Sequence, residues 1–177
     1  MVAPAHADRL RLVRAPAYAF LTITLVFQIV DFVLGVMPFH LGQLVWRFAT
    51  IGSLANNVGN VLLLTFLLLV AVLIYRDRLP LLLIAVFAVL AAITLLVCSG
   101  AFALDVVQLS GSVQPQAITR FMTTAGEALV KCLIESVLFA MMATSAYRAW
   151  RAEARASVLG RGSEEFLVSR GAAARVP

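Results

Sequence analysis

The chain has 177 residues, of which 62% are apolar and 13% charged, and its mean hydropathy is +0.98. Soluble domains average about 45–50% apolar and about 25% charged residues, so this chain lacks the polar surface to cover a water-soluble globule. That excludes a soluble enzyme, a nucleic-acid-binding domain and a disordered chain, and leaves a polytopic membrane protein.

A helical span needs about 20 consecutive, mostly apolar residues. Four stretches meet this, which predicts an all-α, four-transmembrane-helix bundle. The first runs from about Ala15 to Met37 and carries Asp31. Its basic start resembles a signal peptide, but the apolar run is too long and no small-x-small site ends it, so it is expected to be a retained span. The loop that follows has a helical pattern. Leu41, Leu44, Val45, Phe48 and Ile51 share one face, and His40, Gln43, Arg47 and Thr50 share the other. Pro38 suits a first turn. The stretch is expected to be a short amphipathic helix in the first outer loop, with His40, Trp46 and Arg47 at the headgroups.

The second span, Gly52–Tyr75, and the third, Leu79–Leu104, contain no charged residue. The fourth lies within Ala117–Trp150, at about 121–147, and carries Glu127, Lys131 and Glu135. Their i, i+4, i+8 spacing puts all three on one helix face. A charge at the centre of a span costs about 2.5–3.5 kcal/mol, so this helix is expected to face protein or water rather than lipid. Residues 1–150 thus form the transmembrane domain and 151–177 an Arg-rich tail that continues the last helix and frays.

Of the 14 basic residues, 11 fall in the N-terminal segment, the turn between spans two and three, and the C-terminal segment. Four spans put those three segments on one side, so both termini are expected to be cytoplasmic. The excess of Arg over Lys suggests a GC-rich bacterial genome and hence a bacterial inner membrane. The net charge of +5 comes from these arginines. It fits anionic lipid headgroups rather than nucleic acid.

The polar residues of the spans fall at similar depth. Gln28 and Asp31 on span one, Asn56 and Asn60 on span two, and Glu127, Lys131 and Glu135 on span four are expected to form an outer-half intramembrane polar cluster above an apolar inner layer. The competing explanation is that such residues act as helix–helix glue. Ala55 with Gly59 and Ala88 with Ala92 mark close-packing spots. Cys98 and Cys132 fall at similar depth but form no C-x-x-C pair, so a thiol-redox enzyme has little support. No histidine lies within a span, which argues against a b-type haem. No catalytic residue, metal site or cofactor is expected.

Three functions fit. The first is a non-catalytic accessory or structural subunit of a larger membrane complex, with membrane lipids and other membrane subunits, or further copies of itself, as partners. The second is an oligomeric ion- or proton-coupled transporter using the polar cluster. The third is a membrane enzyme or binding protein for a lipid or quinone.

Overall fold

Long apolar runs with few helix breakers fold into four helices. They are α1 (Pro4–Val36), α2 (Leu44–Tyr75), α3 (Arg78–Ser110) and α4 (Ile118–Ala173). The computed structural model describes the backbone of residues 4–40, 42–75 and 77–173, and the side chains of 13–40, 42–75 and 77–155. All four helices are long and apolar enough to cross a membrane. The side chains of Arg9, Arg11, Leu41, Arg76, Arg161, Arg170 and Arg175, which entered the charge and pattern arguments, lie outside the described residues.

Local chemistry sets the boundaries. α1 stops before Pro38, because a residue preceding proline is driven away from helical backbone. The amide of Met37 closes the last turn on the carbonyl of Leu34 at 3.3 Å. Asp77 stands in extended conformation at the N-cap of α3 but makes no capping bond. Its carboxylate is already taken by Arg14 and Tyr18 of α1. Pro80 sits within the first turn of α3, where the missing amide is harmless.

α2 begins at Leu44, eight residues before the expected start of its span. Of the stretch expected as a separate surface helix, Leu44–Ile51 is therefore the opening of α2, and Pro38 lies outside any helix. The reason is tertiary packing. Ile51 is buried, and Phe48 stacks between Phe102 of α3 and Phe121 of α4, with centroids 4.8 and 5.4 Å away. Phe48 and Ile51 of the apolar face that suggested a membrane-surface helix are thus packed against protein, whereas Val45 stays 71% exposed. Gly52 alone does not end a helix, since one glycine costs only about 1 kcal/mol relative to alanine. α4 likewise runs on helically through the segment expected as a tail, to Ala173.

The tightest pairing is between α3 and α4, which run antiparallel. Ala85, Ala88, Ala92, Leu95, Ser99 and Phe102 line one face of α3 at alternating spacings of three and four, and all are buried. Cys132, Ser136, Phe139, Ala143 and Ala146 do the same on α4, with Ala125 two turns before Cys132 on that face. Small side chains let the backbones approach, which is the main source of helix association where lipid is as apolar as leucine. Ser136 Oγ uses that closeness to donate to the carbonyl of Ala92 across the seam, at 2.9 Å.

α2 packs against both α3 and α4, whereas α1 packs against α2 and makes no contact with α4 among the described residues. α2 and α4 run parallel, as the Phe48–Phe121 stack and the approach of Glu135 to Gly59 both require. One end of the bundle holds Arg14, Asp77, Arg78 and Glu153, where Arg78 donates to the Glu153 carbonyl. The opposite end holds Arg47, Phe48, Asp105 and Phe121.

The seam makes a direct prediction. Ala143→Leu forces a large side chain into it, a change that costs about 1–3 kcal/mol in a packed core. Thermal unfolding in detergent should then show a loss of about 3–10 °C. Ser136→Ala should cost less, about 1–3 °C, because interhelical hydrogen bonds in membranes average about 0.6 kcal/mol. Leu83→Ala, at an exposed position of α3 away from the seam, is the control. Equal effects at positions 83 and 143 would contradict the assignment of the seam.

Candidate functional site: the polar face of α4

Glu127, Lys131 and Glu135 do share one face of α4, as their spacing requires. Lys131 Nζ lies 2.8 Å from Glu127 Oε1. Both side chains are open, at 46% and 63% exposure. Glu135 is different. It turns toward α2, where Oε1 lies 3.5 Å from the position a Cβ on Gly59 would take. Its Oε2 is buried without a hydrogen-bond partner among the described residues. Glycine at position 59 leaves the space that the carboxylate occupies.

Below Glu135 the parallel helices α2 and α4 enclose an apolar groove of about 520 Å³. Leu62, Leu63, Phe66 and Val70 form one wall and Leu138 and Met142 the other. The groove runs from Gly59 to Leu73 on α2. The α4 face is therefore divided along its length, with a charged stripe toward the start and an apolar trough toward the end. Asn56 and Asn60 are exposed on α2, on either side of Gly59 in sequence, and flank the same face.

The other expected members of the cluster lie elsewhere. Gln28 lines a second cavity, of about 320 Å³, between α1, α2 and α3, together with Asn57 and Thr94. Asp31 is exposed on α1. Because α1 rests on α2 and not on α4, α2 stands between Gln28 and Glu135. Similar depth along the spans is thus not the same as proximity.

Arg47 and Asp105 were not linked by the sequence pattern. Arg47 reaches across from α2 and donates through Nη2 and Nε to the two carboxylate oxygens of Asp105 on α3, at 2.8 and 3.2 Å. Asp105 is only 3% exposed. Its signal lay in register, since Asp105 follows Ser99 and Phe102 on the buried seam of α3. Trp46, assigned with Arg47 to the headgroups, lies edge-on to His40 at 6.5 Å and to Phe39 at 6.2 Å. At the other end Arg14 pairs with Asp77, and its guanidinium lies 5.9 Å from the ring centres of Tyr18 and Tyr75. Tyr18 donates to Asp77 at 2.9 Å.

Both cysteines are free thiols, and Cys132 is buried beside Ser99. Among the described residues no group of three or more His, Cys, Asp or Glu side chains could hold a metal ion. Comparison with protein-family models, with curated proteins and with solved structures finds no match to the chain.

The pair at the end of α3 is structural and can be tested as such. Arg47→Leu leaves the buried Asp105 carboxylate without its guanidinium, whereas Arg47→Leu with Asp105→Leu removes both charges. The single variant should unfold well below the wild type, and the double variant should recover more than half of that loss. A double variant less stable than the single one would show that the two residues act separately.

Proposed function

We propose that the chain is a non-catalytic accessory or structural subunit of a larger membrane assembly, set in a bacterial inner membrane with both termini cytoplasmic. The observation that carries this reading is the exposure of Glu127 and Lys131 on a membrane-crossing helix. Glu135 falls next to the midpoint between Arg120 and Arg148, which bound the apolar part of α4. Lys131 is one turn above it and Glu127 two. Exposed charges at that depth are costly against lipid and are normally turned toward protein or water. Among the described residues no other helix covers them. Protein from outside the chain is the cover this reading supplies.

The orientation is supported by the arginines. Arg14, Arg78, Arg148, Arg151 and Arg155 fall toward the end of the bundle that holds Asp77 and Glu153. The excess of Lys and Arg on cytoplasmic loops sets the orientation of polytopic proteins.

A second reading, an oligomeric ion- or proton-coupled carrier, draws on one observation, the buried Oε2 of Glu135 that has no partner among the described residues. It asks for a polar path, and a single chain would have to join Asp31 to Glu135 around α2. The subunit reading asks only for a partner over a face that is already continuous.

Gentle detergent extraction of native membranes, followed by native mass spectrometry, separates the two. A subunit should fly in an assembly that contains other membrane proteins. The chain alone, or in copies of itself only, would contradict the reading. Glu135→Gln adds a second readout. A subunit should lose assembly mass, whereas a carrier should keep its assembly and lose transport.

A further inference from the structure

The charged stripe of α4 is not balanced within itself. It carries two carboxylates and one ammonium, and the ammonium is held by Glu127. What remains is Glu135, with one oxygen buried and without a partner among the described residues, beside Gly59 and at the head of an apolar groove. The groove extends from Gly59 to Leu73, about 21 Å at the helical rise, or about four turns. Its walls are two parallel helices. That shape accepts the ridge of a third helix, which is how helices pack.

Three occupants suit an apolar trough in a membrane, and charge chooses between them. A lipid acyl chain fills the apolar length. It brings no cation to the middle of the hydrocarbon, because phospholipid ammonium groups stay at the headgroups. A second copy of this chain brings another stripe of two carboxylates and one lysine, so pairing doubles the acidic excess instead of cancelling it. A different helix with one basic side chain at the right level satisfies both halves of the face. Its cation meets Glu135, its apolar residues fill the trough, and the exposed Asn56 and Asn60 offer hydrogen bonds along the flank.

We propose that the groove between α2 and α4 receives a transmembrane helix of a different protein, carrying a lysine or arginine level with Glu135. This rests on the subunit reading above and gives the partner its chemistry. The site is specific because the basic group on the partner needs a carboxylate as much as Glu135 needs a cation, so each helix is disfavoured alone in lipid.

The test uses the full-length chain with a donor fluorophore at its C-terminus, in phosphatidylcholine vesicles. The probes are acceptor-labelled transmembrane peptides of leucine and alanine with one central lysine, glutamine or glutamate. Energy transfer should show the lysine peptide binding about tenfold more tightly than the glutamine peptide, with the glutamate peptide no better than glutamine. Glu135→Gln should abolish the advantage of lysine, and Glu135→Asp should keep part of it. If Glu135→Gln does not fold, Gly59→Leu carries the test, since a side chain grown into the trough should weaken the lysine peptide to the level of glutamine. Equal binding of the lysine and glutamine peptides to the wild type would overturn the proposal. So would a lysine advantage that survives both variants. Transfer between labelled copies of the chain that excludes the peptides would assign the groove to self-association and overturn it too. None of these results touches the mass of the native assembly, so a heavy assembly with no preference for lysine sinks this inference alone. A chain that extracts by itself sinks the subunit reading.

Discussion

The hydrocarbon of a membrane offers no water to a polar group, and the polar side chains of this bundle are placed by that constraint. Hydroxyl groups turn back onto their own helices. Thr24, Thr65, Ser99, Thr123 and Ser145 each donate to the carbonyl one turn earlier, at 2.7–2.9 Å. Asn57 does the same to Ser53. Ser136 alone among these hydroxyls spends its bond on a neighbouring helix, and it can because Ala92 lets α3 come close. Charges follow the same logic at larger scale. Asp105 is buried under Arg47 at one end, and Asp77 is held by Arg14 and Tyr18 at the other.

These placements explain the unequal attachment of the helices. α3 and α4 share a long seam of small residues, and α2 joins them through the Phe48 stack and the Arg47 pair. α1 is fixed mainly through α2, with Arg14 and Tyr18, in about its third and fourth turns, tying it to the turn before α3. Cavities remain on its inner side, one of about 300 Å³ near Tyr18 and one of about 320 Å³ near Gln28. The stripe of α4 departs from internal satisfaction among the described residues. Glu127 and Lys131 pair only with each other and stay exposed, and Glu135 Oε2 is buried without a partner among the described residues, so an outside partner has something to add there.

The spans were legible in the sequence because hydropathy over about 20 residues depends on composition alone. The alignment of Glu127, Lys131 and Glu135 was legible because three charges at helical spacing must share a face. What sequence could not supply was azimuth between helices. Gln28, Asp31, Asn56, Asn60 and Glu135 lie at comparable depths, but the side of α2 on which α1 rests divides them, and no single-helix pattern encodes that choice. The start of α2 was misplaced for a related reason. Phe48 and Ile51 form an apolar face whether the cover is lipid or protein, and only Phe102 and Phe121 decide which. Asp105 went unremarked because it follows the last residue of the expected span, although its register with Ser99 and Phe102 placed it on the seam.

The central claim is that the face formed by α2 and α4 is covered by protein in the native membrane. A photo-activated cross-linking residue in place of Leu138, beside the trough, tests it most directly against the same residue in place of Phe27, on the outward side of α1. After illumination of native membranes, position 138 should give a discrete protein adduct, and position 27 should give lipid adducts. Lipid adducts alone at position 138, from a chain that remains folded, would contradict the account.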